Sequence, residues 1–540
     1  MFKNYITIAI RNLARHKAYT FINIIGLAIG LTCSTLIFLY LQHEFSYNRH
    51  HSKADRIYKI LHAQRQSNGN VRYQFAAQGP IAPALAEEFP EIERATRFMH
   101  RDNVYVGIEG KEHLKGTTMV ADREFFNVFD FPLIEGNVQT GLQTPFSIFV
   151  TQSFAKKLFG DTSPIGKTVS VQSKFFDEIY TVTGILQDIP ETSVWELSPD
   201  LITTTVPLKS AERMKEVWEN WQGWGPRHVG LTYSYALLKQ GASVSATAEK
   251  LPDFVKRHLG NDIAQTDHYE LMPLTQLHLH GKYKPGIGRL YRGDINTCYI
   301  LSFVGLLIVV IACINFMNLT TARSTRRMRE VGMRKVVGAK RAQLIYQFLG
   351  ESILLSTLSL FLSMGITELT LPMLNAFLNI QLSLNMAVLP ILLALAIGVG
   401  VLAGSYPAFF LSSFKPNAVL KAMHNNKGGH TLVRKALVVV QFAISIILIV
   451  GTLVVFQQTE YMRTKNPGYN QDALVMIYPK GYQFDAMKME LLRHAGVHKI
   501  TITSSAVGLE HEVNQRQVKA DGLSEPVNVQ SQNADHDFLD

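Results

Sequence analysis

The residues Gly160-Asp-Thr-Ser-Pro-Ile-Gly166-Lys167-Thr168 come within one position of a nucleotide phosphate-binding loop, in which glycine amides cradle phosphates and a lysine reaches toward them. The spacing fails, because five residues separate the glycines where four are needed and Pro164 removes an amide from the nest. The stretch reads as a turn entering a strand. His278-Leu-His280 and His50-His51 offer imidazoles at metal-ligand spacing, but no carboxylate or cysteine cluster completes a coordination sphere, so structural histidines are the better reading and no metal is expected. Trp218, Trp221 and Trp224 recur every third residue, a stripe that reads as core before it reads as a contact for an apolar substrate or partner. No Ser/His/Asp, Cys/His or paired-acid arrangement stands out as catalytic. With no other phosphate-binding loop in view, the chain is expected to be non-catalytic and to hold no cofactor of its own.

The clearest chemistry is electrostatic. Residues 300–319 run about twenty positions without a charge, enough to cross a bilayer core as a helix. Directly after them Arg323, Arg326, Arg327, Arg329, Arg334, Lys335, Lys340 and Arg341 face a single acid, Glu330, the bias of a cytoplasmic loop. At helical spacing Arg323, Arg326, Arg327, Glu330 and Arg334 share one face, with Thr325, Met328, Gly332, Val336 and Ala339 opposite. A short amphipathic helix ending at Gly338 is therefore expected. By spacing alone it is a solvated positive-inside anchor.

The 540 residues exceed one ordinary domain, and the 47% that are hydrophobic are gathered in blocks. The formal charge of +10 sits in three segments: Lys3, Arg11, Arg15 and Lys17; the block just described; and Lys415, Lys421, Lys427, Arg434 and Lys435. The remainder is net negative, so the basicity reports topology and excludes a nucleic-acid surface. Cys33, Cys298 and Cys313 all lie in or beside apolar spans, so the large polar region does not rely on disulfides.

The elements that carry these segments follow in order. Residues 1–20 place Phe2, Tyr5, Ile6, Ala9, Ile10 and Leu13 on one face, as in a helix lying along the inner leaflet. Residues 21–43 form the first span; its apolar run outlasts a signal-peptide core and no small-x-small cleavage site follows, so it is expected to be retained. Gly26 and Gly30 give it a small face for helix packing. Nothing in 44–296 is apolar enough to span. There 151–159 reads as a capped helix ending at Gly160, 169–171 and 180–186 alternate as strands, and 242–259 reads as one helix ending at Gly260. The spans resume with 297–320, a basic loop at 321–343, and 344–366. An uncharged loop around 371–383, a fourth span at 386–411 with Gly400 and Gly404 on one face, a basic loop at 412–434 and a fifth span at 435–457 complete them. The expected fold is an α-helical membrane domain of five transmembrane helices with an α+β extracytoplasmic domain between the first two. Glu351 stands two turns into the third span, where a carboxylate needs a partner or water; a loop arginine and a snorkel to the interface are both open to it.

The chain also repeats itself. Leu13-Ala-Arg15 returns as Leu432-Val-Arg434, Gln42-His-Glu44-Phe45 as Gln458-Thr-Glu460-Tyr461, and Ala121-Asp-Arg-Glu-Phe-Phe126 as Ala534-Asp-His-Asp-Phe-Leu539. An internal duplication is expected, with 458–540 as the incomplete start of a second extracytoplasmic domain.

The run 315–352, with Met328-Arg-Glu-Val-Gly-Met-Arg-Lys-Val-Val-Gly-Ala339 at its centre and Gln347-Phe-Leu-Gly-Glu-Ser352 after it, resembles the FtsX-like permease domain of MacB-type ABC transporters, here spanning 297–411. The stretches Phe45-Ser-Tyr-Asn-Arg-His-His-Ser-Lys-Ala-Asp-Arg-Ile-Tyr-Lys59 and Ala121–Phe126 resemble the MacB-like periplasmic core domain, with Asn48 where the family is expected to carry Asp. The resemblance implies a multi-pass protein of the bacterial cytoplasmic (inner) membrane, its N-terminus cytoplasmic and its large domains periplasmic. It implies a permease subunit whose partner, a separate ABC ATPase dimer, binds the ATP. The bilayer and a periplasmic adaptor or outer-membrane protein are the other expected partners. The implied ATPase-coupling loop comprises Arg326, Arg329, Glu330, Val331, Gly332, Arg334, Lys335, Gly338 and Ala339. Such a machine exports or extracts lipoproteins, peptides or drugs at the outer face. One alternative is an ATP-driven signalling device that regulates a cell-wall hydrolase or sensor kinase; another is an anchored receptor with no ATPase. Because family members continue through a second domain and three more helices, the sequence is expected to be a fragment or an early stop.

Overall fold

Apolar runs this long have one way to satisfy their backbone in a bilayer, and each folds as a helix. The computed structural model describes residues 17–538 apart from 67–68, 75, 109, 174–176, 206–215, 217, 222–231, 285–292, 323–330, 414–428, 466–473, 478–483, 504–513, 519–526 and 532. The chain opens with helix α1 (Lys17–Phe45) and enters an α+β domain made of β1 (Ile57–Arg65), β2 (Val71–Gln74), α2 (Ile81–Glu88), β3 (Ile92–Gly107), β4 (Leu114–Ala121), β5 (Leu133–Gly136), β6 (Ser147–Thr151), α3 (Gln152–Phe159), β7 (Thr168–Gln172), β8 (Asp177–Leu186), β9 (Leu201–Thr204), β10 (Tyr233–Leu238), α4 (Leu251–Leu259), β11 (Asp267–Pro273) and α5 (Leu277–His280). Long helices return as α6 (Ile295–Ala322), α7 (Arg341–Leu378), α8 (Leu389–Ser412) and α9 (Gly429–Thr464), followed by α10 (Phe484–Leu491) and the hairpin β12 (Asn514–Val518) and β13 (Val527–Ser531).

Five of these helices, α1 and α6–α9, are long and apolar enough to cross a membrane, one for each expected span. Two details differ from the sequence reading. Residues 17–20 belong to α1 itself, while the rest of the proposed interfacial helix at 1–20 lies outside the described residues. α7 continues to Leu378, so the first part of the stretch read as a loop around 371–383 is helical. Leu371 is buried in the helix-bundle core, which holds this last section in register. The helix then stops at Asn379, whose φ of 54° is left-handed, and the Asn375 side chain bonds both the N–H and the carbonyl of Leu382.

Small residues let the helices approach closely. A Cβ at Gly30 would meet Ala312 of α6 at 2.8 Å, one at Gly400 would meet the Ile353 Cα of α7 at 2.7 Å, and one at Gly404 would meet Ser352 at 2.6 Å. Polar ties sit between them: the Tyr19 hydroxyl and Thr320 Oγ1 at 2.7 Å, Thr32 Oγ1 donating to Ser363 Oγ at 3.2 Å, and Asn318 Nδ2 donating to Gln441 Oε1 of α9 at 3.3 Å.

In the α+β domain eleven strands among the described residues form one sheet, ordered β11-β1-β10-β3-β4-β9-β6-β8-β5, with β2 on β1 and β7 beside β3 and β8. The pairs β4–β9 and β6–β8 are parallel. Phe98, Phe125, Phe129 and Tyr235 fill the middle of the core, α2 and α4 cover one end through Leu85, Phe89 and Phe254, and α3 covers β6–β8 through Phe154 and Leu158. The segment read as one helix over 242–259 is two, Val244–Glu249 and α4, because Pro252 cannot sit inside a helix but suits a first turn. Thr151 does not cap α3 with its hydroxyl; the Asp188 carboxylate instead accepts from the Ser153 N–H at 2.8 Å.

Candidate functional site

Residues 331–336 are helical, closed by Gly338 at φ 98°, where the Gly338 and Ala339 N–H groups return to the Lys335 and Arg334 carbonyls. Arg323, Arg326, Arg327, Arg329 and Glu330 lie outside the described residues. Val331 is buried among Leu344 and Phe348 of α7 and Ala408 and Leu411 of α8, so the segment is keyed into the place where these two helices end. Two cations fasten it: Arg334 Nη1 donates to Gln347 Oε1 of α7, and Lys335 Nζ donates to the Ser412 carbonyl at 2.7 Å. Beside them Arg341 Nε, at the start of α7, donates to Ser412 Oγ of α8 at 3.4 Å. The Ser412 carbonyl is one of the last of α8, left without an intrahelical donor, and an ammonium suits that end of the helix dipole. Burial, and then the neighbouring Arg341, lower the affinity of Lys335 for its proton.

The outward side of the segment is apolar. Met333 is 71% exposed, Val336 68% and Val337 88%. Helical periodicity groups Gly332, Val336 and Ala339 as the face opposite the charges; the structure buries Gly332 beside Val331 and turns Val336 outward. The reason is local: Val331 inserts between α7 and α8, and that fixes which side of the described turn faces outward.

Glu351 is 5% exposed within α7. Gln347, four residues earlier on the same face, donates from Nε2 to Glu351 Oε1 at 3.2 Å while accepting from Arg334. The sequence reading quoted Gln347 only as part of a family-like motif, gave it no role, and passed over Ser412. A glutamine one turn before an acid within an apolar run is the signal that could have marked the first.

Elsewhere the sequence-selected residues are structural. Trp218 is buried beneath the Arg97 guanidinium, 4.7 Å from its ring, and Trp221 packs on Phe254 and His258; Trp224 lies outside the described residues. His278 pairs with Glu44 at the end of α1 at 2.9 Å and stacks on Tyr47 at 3.4 Å between ring centroids. Residues Gly160 and Gly166, at φ 65° and 78°, shape the turn from α3 into β7, and Lys167 bonds Thr162 Oγ1 at 2.9 Å. Among the described residues no group of three or more His, Cys, Asp or Glu is gathered to hold a metal.

Residues 20–254 match the family model of the MacB-like periplasmic core domain, and residues 302–416 match that of the FtsX-like permease C-terminal region. The chain is 25% identical over 217 residues to the uncharacterized ABC transporter permease YknZ of Bacillus subtilis, covering 40% of this chain and 47% of that protein. It is 23% identical over 280 residues to the macrolide export ATP-binding/permease protein MacB of Bdellovibrio bacteriovorus, covering 49% and 37%. It is 20% identical over 443 residues to YvrN of Bacillus subtilis, covering 77% and 99%. The chain thus spans less than half the length of the first two. Among solved structures, a permease domain from Porphyromonas gingivalis aligns at 24% identity and a TM-score of 0.35, over 41% of this chain and 91% of that one. The periplasmic region of MacB from Actinobacillus actinomycetemcomitans aligns at 13% and 0.29, over 42% and 91%.

Proposed function

Because the chain belongs to the MacB/FtsX-type ABC transporter permeases and is a multi-pass membrane protein, we propose that it is the membrane half of a transporter driven by a separate ABC ATPase dimer docked on the 331–339 segment. On this reading the protein sits in the bacterial cytoplasmic membrane with 331–339 and the N-terminus inside and the α+β domain in the periplasm. On this reading the partner, rather than this chain, binds the ATP. Closure of the ATPase dimer moves the segment, α7 and α8 follow, and the α+β domain changes position to export or extract an apolar or lipid-linked substrate such as a lipoprotein, peptide or drug. A periplasmic adaptor or outer-membrane protein would receive it.

The observation that carries this reading is the two-sidedness of the segment. One side is anchored by Val331, Arg334 and Lys335 to the ends of two long helices, and the other presents Met333, Val336 and Val337 to whatever lies beyond. Exposed apolar side chains rimmed by bases, on a surface that is not lipid-facing in this topology, suit a protein partner.

The test is purification of the full-length protein from native membranes in mild detergent, with mass spectrometry of what accompanies it, beside a Met333→Asp, Val337→Asp variant. An ABC ATPase that comes with the wild type and is lost from a normally inserted variant is the expected result. Absence of any ATPase from the wild type, or its full retention by the variant, would overturn the assignment.

A further inference from the structure

We propose that His278 is a positioning residue that locks the α+β domain to the outer end of α1, with α5 set as a wedge between α1 and the start of α6, so that the domain turns with α1 instead of swivelling on it. What would turn α1 rests on the docking reading above; the lock is a property of this chain alone.

Two attachments four residues apart make the joint stiff. The first lies just past the helix, where the Asn48 N–H donates to the Thr192 carbonyl at 2.7 Å and the Asn48 side chain bonds the Leu274 carbonyl and the Val194 N–H. A lone attachment there would leave α1 free to pivot about it. The second lies within the last turn of α1: Glu44 and His278 Nε2 meet at 2.9 Å, with side chains 11% and 9% exposed, and the His278 ring stacks on Tyr47 at 3.4 Å. An ionised carboxylate only accepts, so Nε2 carries the proton of this bond. Tyr40, one turn earlier in α1, bonds the same carboxylate and helps aim it at α5. A hydrogen bond to a carboxylate is stronger than a neutral one and directional, so it sets an angle as well as a distance.

The same turn of helix reaches the other span. Leu279 packs with Leu41 of α1 and with Ile295 and Cys298 of α6. On the approach to α6, Gly293 passes so close that a Cβ there would stand 2.5 Å from His278 Nε2 and 2.8 Å from the His278 carbonyl oxygen. Any side chain at 293 would push the ring or the backbone out of place. The imidazole is thus held by a carboxylate from α1, a stacked phenol just after α1 and a glycine just before α6, and α5 touches both spans that leave the domain.

The experiment measures spin-label distances in the full-length protein in lipid nanodiscs. Labels carried by an encoded keto amino acid replace Ile29 of α1 and Ile179 of the α+β domain, both exposed, so the native cysteines stay. The otherwise wild-type protein should give one narrow distance distribution. His278→Leu, which removes the donor, and Gly293→Ala, which crowds the ring and leaves both bonding partners intact, should each broaden it about twofold, since a lost restraint lets more orientations populate. His278→Gln keeps an N–H within reach of Glu44 and should stay near the wild-type width. An unchanged width in His278→Leu or Gly293→Ala, or a His278→Gln width as broad as that of His278→Leu, would show that the ring only fills space and would overturn the proposal. With the co-purifying ATPase present, the ATP-dependent change in distance between Ile179 and exposed Leu402 of α8 should be about halved in His278→Leu. An equal change in both proteins would likewise overturn it. Should no ATPase accompany the wild type, the docking reading fails by itself and the distribution widths still decide the lock.

Discussion

Asp122 and Asp535 occupy the same corner of two copies of one motif. Each N–H donates to a facing backbone carbonyl, Arg97 at 3.2 Å and Ile502 at 2.9 Å, and each carboxylate accepts from the threonine one residue earlier, Thr96 at 2.6 Å and Thr501 at 2.5 Å. The alanine before each aspartate sits opposite the residue after that carbonyl, Ala121 opposite Phe98 and Ala534 opposite Thr503. The two corners differ in their surroundings: both aspartates are half-buried, but desolvation dominates at Asp122, whereas Asp535 pairs with Lys488 at 2.5 Å.

Truncating the first corner should therefore hurt more. Asp122→Ala removes the acceptor of the Thr96 hydroxyl and of the Arg97 and Glu124 N–H groups and is expected to cost about 2–3 kcal/mol. Asp535→Ala should cost clearly less. Thermal unfolding of the two variants ranks them, and an equal or reversed order would contradict the difference in surroundings.

Acid should loosen the α+β domain through His51. It packs on Phe129 and Phe131, its Nδ1 accepts from the Asp130 N–H at 3.2 Å, and burial followed by neighbouring His50 pushes its pKa down to about 3. With the folded value below the ordinary one, the unfolded chain takes the proton first. Stability is lost as pH falls from about 6.5 toward 3, at up to about 1.4 kcal/mol per unit. Asp122, pushed up to about 6 by burial, acts oppositely between about pH 4 and 6, losing stability as pH rises there. The quantity to measure is thus the difference between the wild type and His51→Asn, whose Oδ1 can replace the Nδ1 acceptor. That difference should shift against the wild type on acidification, and a flat difference would remove His51 as the cause.

Asn48 marks a departure from the expected family aspartate, and the structure explains it. Its φ is 60°, its Nδ2 donates to the Leu274 carbonyl at 3.0 Å and its Oδ1 accepts from the Val194 N–H at 3.0 Å. An aspartate tolerates the backbone but has no donor, and it would face the Leu274 carbonyl with like partial charge. Asn48→Asp should lose about 2–3 kcal/mol at neutral pH. Recovery of part of this loss in acid, where a protonated Asp regains a donor, is the check by chemical unfolding.

Lys59 and Glu196 are fully buried partners, and the Tyr235 hydroxyl donates to the same Glu196 Oε1 at 2.9 Å. Burial lowers the Lys59 pKa and Glu196 opposes that. Lys59→Met leaves the carboxylate stranded and is expected to cost about 3–5 kcal/mol, whereas Lys59→Met with Glu196→Leu should recover most of it. Equal losses in the single and double variants would show that packing, not charge, dominates there.

Much of this architecture was legible because it depends on local composition. Unbroken apolar runs announce helices, and the basic blocks beside them announce where those helices end. Gly400 and Gly404 were legible as a packing face for the same reason. The face of the 331–336 helix was not, since Val331 and Val336 are equally apolar and only the pocket made by Leu344, Phe348, Ala408 and Leu411 distinguishes them. Ser412 was invisible because what it offers is a backbone carbonyl, which every residue carries. The run-on of α7 past 366 depends on Leu371 finding the bundle core and on Asn375 turning the chain, both tertiary facts.

The reach of α7 has a mechanical corollary. Its crossing with α8, near Ser352 and Ser356, divides its 38 residues unequally. At 1.5 Å per residue the arm toward Arg341 is about 20 Å long and the arm toward Leu378 about 36 Å. A helix tilting about that fulcrum swings its far end through nearly twice the arc of its near end. Leu369, Met373 and Phe377, strongly exposed on the longer arm, lie where such a tilt would move the helix furthest.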